Sequence, residues 1–150
     1  MADRSIILCP VDFSAHSALA LREAAALGRA TGGSIHVLYA ERTELPPYFT
    51  PGRMAELDRQ IREGQAEAED ALREFVHKSI GDSAVNVTVE VVERPPVEGI
   101  MEAASRSGAR WIVMGTHGRT GLKRLLMGSV AERIVRESRV PVMVVPHQEK

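Results

Sequence analysis

The sequence predicts an α/β fold: one doubly wound, five-stranded parallel sheet in the order 3-2-1-4-5, with helices on both faces. Three observations predict it. Short apolar runs that read as strands alternate with longer stretches whose apolar residues recur at three- and four-residue steps, the pattern of parallel strands joined by helical crossovers. Two of the runs, 6–11 and 111–114, are apolar almost without a break, as in central strands covered on both faces. A third, 85–92, places Val85, Val87, Val89 and Val91 in alternation with Asn86, Thr88 and Glu90, and so reads as an edge with one wet face.

Each element has its own justification. Ile6 to Val11 opens the chain as a strand and is broken at Asp12-Phe13-Ser14. Ser14 is a good N-cap for the Ala/Leu-rich helix Ala15 to Ala30, and Gly32-Gly33 ends it. A strand follows at 34–40. Residues 41–53 contain Pro46, Pro47, Pro51 and Gly52 and are expected to hold no regular element. Tyr48 and Phe49 there suit a lid over a crevice. Met54, Leu57, Ile61, Ala68, Leu72, Phe75 and Ile80 then mark a long amphipathic helix stopped at Gly81. Pro95-Pro96 starts a helix that Gly108 closes, and a strand ends at Gly115. A glycine-bearing loop leads to a helix opening at Gly128-Ser129, and 140–145 is the last strand.

Composition bounds the function. The chain has 150 residues, 44% hydrophobic, with 19 basic and 20 acidic side chains and a net charge of -1, so a nucleic-acid footprint is not expected. One cysteine, Cys9, excludes an internal disulfide framework and a cysteine-rich zinc site. No apolar run reaches the length of a membrane span, and the first residues lack the pattern of a secretory signal. The expectation is a single cytoplasmic domain over 1–150.

Order 3-2-1-4-5 reverses the chain's direction between the first and fourth strands, and ligands bind beyond the carboxyl ends at such a point. Asp12 to Ser14 and Gly115 to Gly118 converge there. The segment Gly115-Thr116-His117-Gly118-Arg119, continuing through Lys123 and Arg124 to Gly128-Ser129, runs from a buried strand to a helix N-terminus. Glycines permit close main-chain approach, unpaired first-turn amides and the helix dipole favour anions, and the basic side chains add local positive charge. That makes a phosphate cradle in physical terms, while a capped surface loop with solvated basic residues explains the same residues. Neither a Walker-type loop nor a Gly-x-Gly-x2-Gly dinucleotide turn is present.

The spacing Gly115-x2-Gly118-x9-Gly128-Ser129 resembles the ATP-binding motif of the universal stress protein family. The resemblance extends to the strand ending Val11-Asp12-Phe13-Ser14 and the closing Val140-Pro141-Val142-Met143-Val144-Val145-Pro146, and so covers essentially the whole chain. It implies an adenine-nucleotide-binding, dimeric module. Asp12 would hydrogen-bond the adenosine end; Pro10, Val11 and Ala40 would wall the adenine and ribose, with Met114 bordering them. Gly115, Gly118, Gly128, Ser129 and Val130 would contact the phosphates, with Thr116, His117 and Arg119 beside them. ATP would carry Mg²⁺ or Mn²⁺ on its phosphates rather than in a protein cage. The homodimer would pair through Val140–Val145, an apolar edge without a guarding charge. The alternatives are a slow ATPase or a phosphoryl or nucleotidyl transferase, for which no catalytic constellation is visible, and a nucleotide-free structural dimer.

Other residues have plainer readings. Cys9 in a buried strand is an inert small hydrophobe. His36 and His77 read as structural or exposed, and His16 lies near the site mouth. Met54, Met101, Met114 and Met127 read as packing.

Overall fold

Strand and helix alternate throughout the computed structural model, which describes residues 4–43, 50–117 and 127–147. In chain order the elements are β1 (Ile6–Pro10), α1 (Ala15–Thr31), β2 (Ser34–Ala40), α2 (Pro51–Ile80) and β3 (Val87–Val92). They continue as α3 (Pro96–Ser107), β4 (Trp111–Gly115), α4 (Ser129–Glu137) and β5 (Val142–Val145). All strand pairs are parallel and the order is β3-β2-β1-β4-β5, as the sequence predicts.

The two-residue period of the strands splits the interior into two cores. Ile7, Cys9, Ile35, Val37 and Val113 face α1 and α2, where they meet Leu21, Leu72 and Val76. Leu8, Leu38, Ile112 and Met114 face α3 and α4, meeting Ile100 and Ile134. Ile7, Leu8, Cys9, Ile112 and Val113 are wholly buried, which is what the unbroken apolar runs of the two central strands require.

Local chemistry sets the helix ends. The Ser14 hydroxyl accepts the Ser17 N–H at 3.2 Å, and Gly32 takes φ +70° to close α1. α2 corrects the reading of 41–53. Thr50 is its N-cap and Pro51 occupies the first turn, where a missing N–H costs nothing, so 51–53 are helical. β3 and β5 begin at Val87 and Val142, two residues later than expected in each case. Pro141 lies outside the ladder, although its carbonyl accepts the Ile112 N–H at 3.0 Å.

The reading of two methionines changes. Met54 is 58% exposed and Met127 36% exposed, so neither packs in the core. His36 is structural, as expected, and it organises a polar network. Nδ1 pairs with Thr88 Oγ1 at 2.7 Å and Nε2 with Glu90 at 2.5 Å, while Arg106 of α3 donates to the same carboxylate at 2.6 Å. Tyr48 and Phe49, expected to form a lid, lie outside the described residues. No helix among the described residues is long and apolar enough to cross a membrane.

Candidate functional site

From the carboxyl ends of the neighbouring strands β1 and β4 the chain leaves toward opposite faces of the sheet, into α1 and α4, and a crevice opens between the two strand ends. A cavity of about 280 Å³ opens there. Pro10, Val11, Asp12, Ala40, Met114, Gly115, Thr116, His117, Gly128, Ser129 and Val130 all line it. These segments, up to about 120 positions apart in the chain, are thus brought to one place. Gly118 and Arg119, with Lys123 and Arg124, lie outside the described residues.

Five lining residues were missed by the sequence reading: Ser17, Leu38, Pro96, Ile100 and Ala131. Leu38, Ile100 and Ala131 belong to the core on the α3–α4 side, and that core reaches the cavity as its apolar wall. One signal points to Pro96 and Ile100. In a parallel sheet each crossover helix starts at the carboxyl edge, so the first turns of α3 lie at the same end as the crevice.

Asp12 is held by the start of α1. Its Oδ1 accepts the Ser14 N–H at 3.1 Å and the Ser17 hydroxyl at 2.6 Å, and its own amide donates to Ser17 Oγ at 2.9 Å. Beside it, Phe13 takes φ +66°, costly for a bulky residue. Its ring packs edge-on against Tyr39 and Phe75, at centroid distances of 4.8 and 5.5 Å, anchoring the turn from the opposite side of the sheet.

On the β4 side, a Cβ at Gly115 would lie 3.1 Å from His16 Cβ and 3.2 Å from the His16 carbonyl oxygen. A larger residue there would make α1 give by a few tenths of an ångström at the end of β4. The α4 terminus opens differently from that of α1. Gly128 is its N-cap, no side chain among the described residues caps it, and its backbone ladder begins with Glu132 N–H to the Gly128 carbonyl at 3.0 Å. First-turn amides have no partner within a helix, and Ser129, Val130 and Ala131 line the cavity. The Gly128 amide itself donates to the Thr116 carbonyl at 2.6 Å, tying the helix start to the end of β4.

Three histidines gather at this corner. The His16 ring lies 4.4 Å from that of His147 and 5.8 Å from that of His117, centroid to centroid. His117 Nδ1 is 3.1 Å from Thr116 Oγ1, and its Nε2 is buried with no hydrogen-bond partner among the described residues. No group of three His, Cys, Asp or Glu side chains among the described residues is arranged to hold a metal ion. Burial pushes the Cys9 thiol up to about 12, which keeps it protonated and inert at neutral pH.

Fold and site together define a doubly wound α/β domain with an apolar-walled crevice at the switch point and, among the described residues, one buttressed carboxylate and a helix terminus without a side-chain cap. The universal stress protein family model matches residues 4–146, and the chain belongs to that family. It is 31% identical over 147 residues to universal stress protein MJ0531 of Methanocaldococcus jannaschii, spanning 96% of this chain and 83% of that protein. To MJ0577 of the same organism it is 30% identical over 150 residues, spanning 93% of each. The solved structure of MJ0577 matches with a TM-score of 0.80 at 27% identity, over 97% of this chain and 98% of that one. A universal stress protein in complex with cAMP shares the fold at TM-score 0.68 and 22% identity, over 95% and 97% of the two chains. So does one from Archaeoglobus fulgidus in complex with dAMP, at 0.57 and 20%, over 96% and 98%.

Proposed function

We propose that this chain, working as one domain, binds an adenine nucleotide, ATP foremost, and acts as a nucleotide-dependent binding module. The observation that carries the reading is the start of α4, capped by a glycine, opening onto the same cavity as Asp12 and the apolar wall. An anion at a helix N-terminus gains amide hydrogen bonds and the favourable end of the dipole. A phosphate chain there leaves the nucleoside to lie between Pro10, Val11, Ala40 and Met114, with Asp12 accepting a hydrogen bond from it. Family membership and the glycine spacing favour ATP, and two proteins of the same fold are complexes with cAMP and dAMP. With no metal-holding trio among the described residues, a Mg²⁺ or Mn²⁺ ion entering with ATP would rest chiefly on the phosphates.

Asp12 is the one carboxylate among the described lining residues, and its position is taken up by Ser14 and Ser17. A carboxylate pair for general acid–base work is therefore missing from this set, which favours a binding role over fast turnover. The test is to heat-denature purified protein, chromatograph the supernatant, and then titrate nucleotide-free protein calorimetrically with MgATP. Released ATP and saturable binding support the module. Released ADP with steady phosphate production favours the slow ATPase, and no nucleotide with no binding heat overturns the reading.

A further inference from the structure

A second cavity, of about 270 Å³, lies on the other side of the sheet from the first, between the N-terminal half of α2 and the carboxyl ends of β2 and β3. Its origin is a mismatch of lengths. The 30 residues of α2 extend about 45 Å, whereas the strands they cross rise only about 20 Å. The buried residues of α2, Leu72 and Val76, are both in its C-terminal half. The N-terminal half overhangs the sheet, with Leu57 and Ile61 half-buried and Met54 exposed.

Two features of this groove point to an occupant. Gly64 sits in the middle of the helix and lines the cavity, yet a Cβ there would meet nothing within 4 Å. A helix-interior glycine is unfavourable, and close packing among the described residues does not call for this one. It keeps the groove open. The second feature is charge. The floor is apolar, formed by Val91, Ile61 and Ala68, and among the described lining residues the charged ones are Glu41 and Glu93. Both carboxylates are held in place: the Tyr39 hydroxyl donates to Glu41, and Glu93 accepts the amide and hydroxyl of Thr43 at 3.0 and 2.8 Å. Each retains lone pairs for a further donor.

We propose that this groove docks a peptide segment of a partner protein that places an arginine or lysine beside an apolar side chain. An apolar floor beside two fixed carboxylates suits a pair of side chains, one apolar and one cationic. The apolar member fills the space opposite Gly64, and the cation meets Glu41 and Glu93. The surface is independent of the nucleotide cavity, so it stands or falls separately from the nucleotide reading.

The test titrates ¹⁵N-labelled full-length protein with a capped twelve-residue peptide of leucine and arginine at helical spacing, against the same peptide with glutamate for arginine. The expected result is saturable shifts centred on Tyr39, Gly64 and Glu93 with the arginine peptide, and at least tenfold weaker binding of the glutamate peptide. Gly64→Leu should raise the melting temperature by about 2–4 °C while weakening the arginine peptide at least tenfold. The double variant Glu41→Gln, Glu93→Gln should weaken it similarly without relying on the helix change. Shifts centred elsewhere, no saturable shifts, or affinity indifferent to both variants would overturn the proposal. Shifts at the groove that follow protein concentration without peptide would assign it to a second copy of this chain and overturn it equally.

Discussion

Ser17 holds Asp12 from two sides, its hydroxyl donating to Oδ1 at 2.6 Å and accepting the Asp12 amide at 2.9 Å. The same Ser17 backbone N–H is what Ser14 caps, at 3.2 Å. The start of α1 and the acid of the cavity are thus one hydrogen-bonded unit, and the orientation of Asp12 is set before any ligand arrives. Such preorganisation lowers the ordering cost of binding.

That coupling gives a paired prediction. Ser17→Ala strands the Asp12 amide and should lower unfolding free energy by about 1–3 kcal/mol in urea, while weakening ATP. Asp12→Ala should weaken ATP about 10- to 150-fold in calorimetry and leave tripolyphosphate nearly unaffected if Asp12 serves the nucleoside end, as proposed. Equal losses for both ligands would move Asp12 to the phosphates or to the fold alone.

Gly115→Ala should destabilise the protein by about 1–3 kcal/mol, the usual cost of overpacking. The added methyl would stand 3.1 Å from His16 Cβ and 3.2 Å from the His16 carbonyl oxygen, and helix backbone does not give way cheaply. Denaturation midpoints of the two proteins check this, and an unchanged midpoint would mean that α1 can slide along β4.

Glu90 predicts a pH dependence. Burial pushes its carboxyl up, but hydrogen bonds from His36 and Arg106 and their charges outweigh this and hold it below its ordinary value of 4.5. A depressed carboxylate contributes stability that is present above the unfolded value and lost as pH falls through the folded one. Glu90→Gln should therefore cost about 1–2 kcal/mol at pH 7, a figure discounted because Arg106 is 56% exposed. The gap between the two proteins should close as the pH drops below the carboxylate range. A constant gap in unfolding scans from pH 7 to 3 would show that the charge is not responsible.

Dimerisation through the β5 edge is the fourth prediction. β5 ends the sheet and carries Met143 at 41% exposure, while Val135 of α4 is 45% exposed. An apolar edge of this kind invites pairing, and antiparallel pairing across a two-fold axis covers it. Val142→Lys with Val144→Lys should give monomers by light scattering. Met143→Lys probes the same edge from its exposed residue and should loosen the dimer without entering the core. An unchanged dimer in both would move the interface elsewhere.

The architecture was legible because its causes are local and repetitive. Unbroken apolar runs marked β1 and β4 as central, Ser14 and Gly32 announced the ends of α1, and Gly108 the end of α3. Where local signals competed, the reading slipped. Pro46 and Pro47 drew Pro51 into an irregular stretch, although Thr50-Pro51 is a good helix start. Pattern alone extended β3 and β5 by residues that do not join the ladder, because apolar alternation says nothing about which amides find partners.

Local pattern was enough for the order of elements, the reversal between β1 and β4, and the backbone-dependent part of the crevice: Asp12 after a strand, Gly115 to His117, Gly128 to Val130. Each of these depends on near neighbours in the chain, so spacing reveals them. Tertiary packing was needed to show that Ser17 holds Asp12, that Pro96, Ile100 and Ala131 wall the cavity, that His16, His117 and His147 share a corner, and that α2 overhangs a second groove. These rest on contacts between distant segments, most of them ordinary alanine, isoleucine, serine or histidine positions in their own elements. Packing, not pattern, chooses which of them meet.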